Sequence, residues 1–483
     1  MKNKVIKILF VGSIILLLIP SMLYIINNKT VYKFSNYYTY TLTDTFTKNQ
    51  EGFIYLVIIL LVSLLYILII KNQDKIFKNI KQMMIYIFIV TILFVFIIPS
   101  TSSDVFYYLG VGRIQNEYHV NPYYTSINEV IEANELAKQD EIIQNTPEIW
   151  RGITVVYGPV WTILCNLLTL ISFNSVNWSL LVFKIFNLII HLLNCYMIYK
   201  ITKKKMYVVI YGLNPLVLIE TIANAHNDIL TVFLVLVSIY FLIKKKNILL
   251  SVVFLSISAG IKYFTTMLLP FILIYYFRKE KLSKRIYKCI KYGIIFLGIL
   301  ILFYLIYAKD LFILNGLSAQ QGKLAKSIPL CIYYLTHTQC PELLNYIQAV
   351  IFILFAFICI INVLVELLEK NVKFYKVVRR YNLMLLIFTF VVLTTFQPWY
   401  VVWFFPTLMW QKPRMQKVLI YMTVMTCLIN SVFIFKSEAP IYGTAFVALM
   451  LISWIGCMAL NSKITSKGDN IIGKRKISFN RWK

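Results

Sequence analysis

IYIFIVTILFVFIIP (residues 85–99) runs directly into STSSDVFYYLGVGRIQNEYHVNPYY (residues 100–124). The first fragment is apolar and uncharged and reads as a membrane-crossing helix. The second opens with Asp104 and is dense in tyrosine. A loop that only has to be soluble needs charge, but it does not need that many aromatic rings. The composition around this junction agrees with its membrane reading. Of 483 residues, 59% are hydrophobic and 14% charged, and the mean hydropathy is +0.73. A soluble chain of this length needs far more polar surface. Span-length apolar windows recur from end to end, so the sequence predicts an all-α polytopic membrane protein with roughly 12–15 transmembrane helices. The first of these, VIKILFVGSIILLLIPSMLYII, has no small-residue cleavage site and reads as a retained helix.

The net charge of +28 does not indicate nucleic acid. Lys and Arg fall in clusters between apolar segments: Lys2 to Lys7, Lys71 to Lys81, Lys203 to Lys205, Lys244 to Lys246, Arg278 to Lys291, Lys370 to Arg380, Lys412 to Lys417, and the tail from Lys463. The positive-inside rule makes these the cytoplasmic face, where they can also hold anionic lipid headgroups. The eight cysteines contain no CxxC pair, which argues against a zinc or redox motif. Cys331 and Cys340 share one outer loop and could pair.

Taken together, the clusters and apolar runs order the chain. Residues 5–26 cross outward, 53–70 return and 83–99 cross outward again. Residues 100–156 then form a large external loop holding Asp104, Glu117, Glu129, Glu132, Glu135, Asp140, Glu141 and Glu148. Within it, INEVIEANELAKQDEIIQ has the spacing of a short helix lying on the membrane surface. Two full crossings over residues 157–200 would put Lys203 to Lys205 outside, so either VYGPVWTILCNLLTLISF is re-entrant or the charge rule fails there. Residues 248–277 are basic at both ends and break at SAGIKYF, which predicts a hairpin with Lys262 near the outer interface. A lysine at mid-bilayer costs about 2.5–3.5 kcal/mol on insertion scales. Residues 1–460 read as one membrane domain, and 461–483 as a basic cytoplasmic tail. No internal repeat is visible.

This order gathers Asp104, Tyr157-Gly158-Pro159, Asn214-Pro215, His226-Asn227-Asp228, Lys262 and Gln397-Pro398-Trp399-Tyr400 at the outer ends of helices. Each has a bland reading: a helix-flanking acid, an interfacial aromatic anchor, a polar group bonded between helices. Their coincidence on one face points further. A carboxylate can act as general base on a hydroxyl, a lysine can hold a phosphate, and aromatic faces suit the C–H faces of a sugar. Outside a bacterial membrane there are no nucleotide sugars, so a transferase there draws its sugar from a lipid.

SSDVFYYLGVGRIQNEYHVNPYY, VYGPVW, NPLVLIETIANAHNDIL, SAGIKYFTTMLLPF and QPWYVVW follow one another as in the polyprenol-phosphate-mannose-dependent α-1,6-mannosyltransferases of the multi-spanning glycosyltransferase C superfamily. The resemblance covers about residues 85–410. It implies a glycosyltransferase C-like fold, with Asp104 as general base or metal-positioning carboxylate and Lys262 approaching the donor phosphate. Arg113 is a second phosphate candidate, although a loop pair with Glu117 serves it equally well. His226, Asn227 and Asp228 fall on an HND signature implying sugar or phosphate contact. Trp399 and Tyr400, with Tyr107 and Tyr108, would line the sugar sites.

The family carries a basic residue just before the aspartate, where this chain has Ser103. The superfamily includes metal-dependent and metal-free members, and a single Asp104 without an adjacent acid points to no metal. The resemblance thus implies hexose transfer, most simply of mannose, from a polyprenyl-phosphate donor to a hydroxyl of a cell-envelope glycan or glycolipid. The reaction would run with inversion, outside the plasma membrane. The rival is a transporter or flippase of a lipid-linked sugar, which would place its polar site at the bilayer midplane between internal repeats.

Overall fold

The computed structural model describes residues 2–28, 48–172, 174–310, 313, 341–369, 372–433, 448, 449 and 452. The Cys331/Cys340 loop and the basic tail lie outside them. All regular structure among the described residues is helical. Helices α1 (Lys2–Asn28), α2 (Lys48–Ile76) and α3 (Ile80–Val95) come first. Asn79 starts α3, its side chain accepting from the Gln82 N–H at 2.9 Å while Gln82 takes the Lys78 N–H at 3.0 Å. Ile97-Ile98-Pro99 follows, and helix α4 (Asp104–Asn116) begins on Asp104 itself.

The external segment thus opens as a helix, with Val105 to Gly112 all buried. The expected surface helix over residues 127–144 is broken into α5 (Ile127–Ala133), a 3₁₀ turn (Glu135–Lys138) and α6 (Glu141–Asn145). The breaks come where polar side chains cap the next piece. Asn134 accepts from the Leu136 N–H at 3.0 Å, and Asp140 from Ile142 and Ile143 at 3.0 and 3.1 Å. A short α7 (Glu148–Arg151) closes the segment.

Helix α8 (Pro159–Leu170) has 12 residues, about 18 Å at 1.5 Å per residue against about 30 Å of hydrocarbon. It is too short to cross, and only α9 (Val176–Thr202, 27 residues) spans this region. A single crossing leaves Lys203 to Lys205 on the basic face. α8 packs along α4 instead, so closely that a Cβ on Gly112 would stand 2.4 Å from the Cys165 carbonyl oxygen.

Helices α10 (Lys205–Gly212) and α11 (Pro215–Val217, continued by a π turn over Leu218–Ala223) meet at a break bent by 46°. Asn214 makes the bend, bonding Tyr66 at 3.0 Å and Thr423 at 2.8 Å while capping Leu216 and Val217. Asn214-Pro215 is therefore an internal break and not the end of the run; the chain turns at residues 224–227. Helices α12 (Asp228–Tyr240), α13 (Ile248–Ala259) and α14 (Leu269–Tyr276) follow, then α15 (Leu282–Leu305), α16 (Pro341–Leu368), α17 (Phe374–Ile387) and α18 (Pro413–Phe433). The 13 residues Pro398–Trp410 are 3₁₀-helical. α15 exposes Ile290, Ile294, Leu297, Ile301 and Leu305, an apolar face that suits lipid and not water.

Five described helices are long and apolar enough to cross, or six with the bent pair. Several further apolar runs are shorter, or are cut by π turns, 3₁₀ segments and buried breaks. Each break leaves carbonyls without intrahelical partners in a medium that cannot hydrate them. α9 supplies donors from one buried stripe. Lys184 bonds the carbonyls of Val95, at 3.2 Å, and Ile97. Asn187 bonds those of Thr221 and His226 at 2.7 and 3.1 Å. His191 meets the Gly212 carbonyl at 3.1 Å, and Asn194 that of Ile229 at 3.0 Å.

Candidate active site

Asp104 occupies the first turn of α4, where the helix's positive end favours a carboxylate. Its Oδ2 accepts from the Tyr157 hydroxyl at 3.1 Å, which in turn receives the Tyr108 hydroxyl at 3.3 Å. Tyr107 packs near the Tyr157 ring, at 6.5 Å between centroids. Burial pushes the Asp104 carboxyl up to about 6, against the pull of the Lys262 ammonium and of the Tyr157 hydrogen bond.

Tyr157 is aimed by an approach of two backbones. The Gly158 N–H donates to the Ile261 carbonyl at 3.2 Å and the Val160 N–H to the Gly260 carbonyl at 2.9 Å. A Cβ on Gly158 would lie 2.3 Å from the Gly260 oxygen. The segment carrying Tyr157 is thereby fastened to the α13–α14 hairpin that carries Lys262. The α13 arm of 12 residues is about 18 Å long. The Lys262 side chain is 12% exposed and is paired with Asp228, whose two oxygens it meets at 2.7 and 2.8 Å. Asp228 also receives the Trp403 indole N–H. Lys262 stands 5.6 and 5.7 Å over the Tyr400 and Trp403 rings.

His226 joins the two halves. Its ring stacks on Trp399 with centroids 3.7 Å apart. Nδ1 faces Asp104 Oδ2 at 3.7 Å, and Nε2 faces Glu220 Oε2 at 3.6 Å. Neither nitrogen makes a hydrogen bond within normal distance. Burial, and then the Lys262 ammonium, push the imidazole well below its ordinary value. The turn that presents it holds Ala225 at φ 57°, a left-handed conformation costing a non-glycine residue about 1–2 kcal/mol. Glu220 lies on the π turn and is 1% exposed. Asn224 donates to it at 3.0 Å, donates to Thr101 Oγ1, and accepts the Ser100 N–H at 3.2 Å. The loop leading into Asp104 is thus tied to the turn that bears His226.

The structure therefore brings Asp104, His226, Asp228, Lys262, Trp399 and Tyr400 into one connected cluster. Its interior placement alters several of the roles read from sequence. Tyr107 and Tyr108 are 3% and 0% exposed and support Tyr157, where sequence had them lining a sugar. Asp228 is fully buried and holds Lys262. Asn227 is fully buried, and neither of its amide atoms has a hydrogen-bond partner. Arg113 lies at the far end of α4, bonded to Asp140 at 2.6 Å and Glu117 at 3.1 Å, which is the loop-pair arrangement. Glu220, Asn224 and Trp403 were not singled out from sequence. An acid inside LVLIETIA is itself a signal, and Trp403 falls one turn beyond Trp399. Among the described residues, no three His, Cys, Asp or Glu side chains are grouped to hold a metal ion.

The family model for the alpha-(1->6)-mannopyranosyltransferase N-terminal domain (the MptA_B family) matches residues 10–278, more than half of the chain. The chain belongs to this mannosyltransferase family. No curated protein and no solved structure matches it. The matched interval contains Asp104, Tyr157, Glu220, His226, Asp228 and Lys262, whereas Trp399, Tyr400 and Trp403 join the cluster from beyond it.

Proposed function

We propose that this mannosyltransferase moves mannose from a polyprenyl-phosphate donor to a hydroxyl of a cell-envelope glycan or glycolipid, on the outer face of the membrane. One observation carries the reading. Within the cluster, the Asp104 and Lys262 side chains are 13% and 12% exposed, while His226 and Asp228 are 0% and Glu220 1%. The groups a ligand can reach are a base and a cation, and the groups that hold them are sealed. Asp104 takes the proton of the acceptor hydroxyl, whose oxygen attacks the anomeric carbon. The bond from that carbon to the phosphate oxygen breaks, and its electron pair leaves with the polyprenyl phosphate. An ammonium has three N–H groups; Lys262 directs two at Asp228, and the third meets the charge building on the phosphate. The partly open rings of Tyr157 and Tyr400 flank the sugar. A single displacement inverts the anomeric configuration.

The test uses protein in nanodiscs, radiolabelled polyprenyl-phosphate mannose and an acceptor-rich membrane extract. Wild type is expected to discharge the lipid, and Asp104→Asn to lose at least about 10²-fold in kcat. Equal turnover by Asp104→Asn removes the base. Failure to discharge any polyprenyl-phosphate sugar removes the donor.

A further inference from the structure

Two tyrosines stand in line behind Asp104. The Tyr108 hydroxyl donates to that of Tyr157 at 3.3 Å, and the Tyr157 hydroxyl donates to Asp104 Oδ2 at 3.1 Å. Tyr108 is fully buried, its ring set edge-on to Trp161 of α8 at 5.1 Å between centroids and to Tyr157 at 5.3 Å. The Tyr157 oxygen thus accepts one proton while giving its own to a carboxylate, the order in which successive hydrogen bonds strengthen one another. Tyr157 has little freedom to turn away. Its carbonyl accepts from the Tyr123 hydroxyl at 2.8 Å, and the N–H of Gly158 is bonded to Ile261 at 3.2 Å. Asp104 is faced in addition by Tyr107, His226, Asp228, Lys262 and Tyr400. Lys262, and after it Tyr157, favour its charged form against burial. In the reaction proposed above, Lys262 also meets the donor phosphate, whose negative charge offsets that pull. The bond from Tyr157 does not depend on the donor.

We propose that Tyr157, backed by Tyr108, is a positioning residue acting through Asp104: its hydroxyl fixes the carboxylate by Oδ2 and keeps the base in its charged form. The inference rests on the function proposed above for Asp104. Its competitor is a pair of tyrosines that only fill the space between α4, α8 and the segment before Gly158.

Two measurements separate these. The first is the pH profile of mannose transfer in Tyr157→Phe, which keeps the ring and removes the hydroxyl. The plateau of kcat/KM is expected to fall by up to about 10²-fold as Asp104 loses its aim. The midpoint is expected to rise by about one pH unit, from about 6 to about 7, so the loss at pH 5 exceeds the loss at pH 8 by about 10-fold. Tyr108→Phe, which removes only the donor behind Tyr157, should raise the midpoint by less. Damaged packing lowers the rate by one factor at every pH. A midpoint unmoved in Tyr157→Phe, or moved further by Tyr108→Phe than by Tyr157→Phe, overturns the proposal. Tyr157→Phe leaves the buried Tyr108 hydroxyl without its acceptor. If melting shows that variant unfolded, the double variant Tyr108→Phe/Tyr157→Phe, which removes both partners, replaces it with the same expected midpoint.

The second needs no activity: ¹³C NMR of the detergent-solubilised protein labelled at its aspartate carboxyls and titrated without donor. The signal missing in Asp104→Asn identifies the carboxyl. A titration midpoint higher in Tyr157→Phe than in wild type supports the proposal; equal midpoints overturn it. Because this readout is independent of turnover, failure of the transferase reading and failure of the positioning role remain distinguishable.

Discussion

Gly158→Ala tests whether the site is assembled by the contact between the Tyr157 segment and the Lys262 hairpin. Gly158 has φ −70° and ψ 161°, a conformation alanine adopts freely. Any effect must therefore come from the neighbour. The added Cβ would stand 2.3 Å from the Gly260 oxygen and 2.5 Å from its carbonyl carbon, where ordinary contact begins at 3.4 Å. These are backbone atoms and cannot rotate aside, so the segments must part by about 1 Å, a forced overpacking that costs about 1–3 kcal/mol.

The same movement stretches the bonds from Gly158 to Ile261 and from Val160 to Gly260, each contributing about 0.5–1.5 kcal/mol. Tyr157 leaves Asp104 by a comparable distance, and a displacement of about 1 Å at a reacting group can cost about 10²-fold in rate. The expected result is a lower melting midpoint in detergent together with about 10²-fold lower kcat. Gly293→Ala and Gly298→Ala, with nothing within 4 Å of the added carbon, should change neither. Wild-type turnover and melting in Gly158→Ala would refute the idea that this crossing sets the geometry of the base.

The raised carboxyl of Asp104, at about 6, makes the base active above that pH. kcat/KM should rise with unit slope below about pH 5, reach half its plateau near pH 6 and level off above about 7, with about 10-fold lost at pH 5; a flat profile assigns proton removal elsewhere. Arg113→Ala should lower the melting midpoint, because it removes the charge partner of the nearly buried Asp140, yet leave the donor KM within about twofold; a rise of about 10-fold would restore Arg113 to the donor phosphate. At Ala225, φ 57°, glycine should keep activity and stability within about 1 kcal/mol, whereas Ala225→Val should lose about 2–4 kcal/mol on melting. An Ala225→Val protein with native melting and turnover would show that the left-handed turn is dispensable.

Much of this site could be read in the sequence because lipid makes polar residues conspicuous. Asp104, His226, Asp228 and Lys262 each interrupt or end an apolar run, and such residues are costly enough to need a reason. Trp399 and Tyr400 were legible as aromatics at a helix end. The direction each side chain faces was not legible. Tyr107 and Tyr108 look like a sugar platform in the string, but α4 starts on Asp104 and buries both, Tyr108 against Trp161 of α8 and Phe183 of α9 and Tyr107 against Trp150 and Tyr157. Asp228 has the chemistry to touch a hydroxyl, yet it is spent on Lys262 and Trp403. The surface helix failed for a local reason, since Asn134 and Asp140 compete with the helix through their own caps.

The broken helices explain the position of the cluster. Hydropathy windows register apolar length, and they cannot register that a run stops at Asn214 or at Gly260 and resumes at another angle. In lipid such a stop is tolerated only where protein donors answer the freed carbonyls. The chain provides them from Lys184, Asn187 and His191, which with Asn194 are spaced three, four and three apart and share one face of α9. The first three bond carbonyls at or near helix C-terminal ends, and Asn194 bonds that of Ile229 in the first turn of α12. Two of those ends bear on the cluster directly: Asn187 holds the carbonyl of His226, and Lys184 holds those that lead to Asp104. The polar stripe, the breaks and the cluster are thus one arrangement. A helix that ran unbroken through residues 205–240 would have no turn on which to mount His226, and without the α9 donors that turn could not be buried beside Asp104.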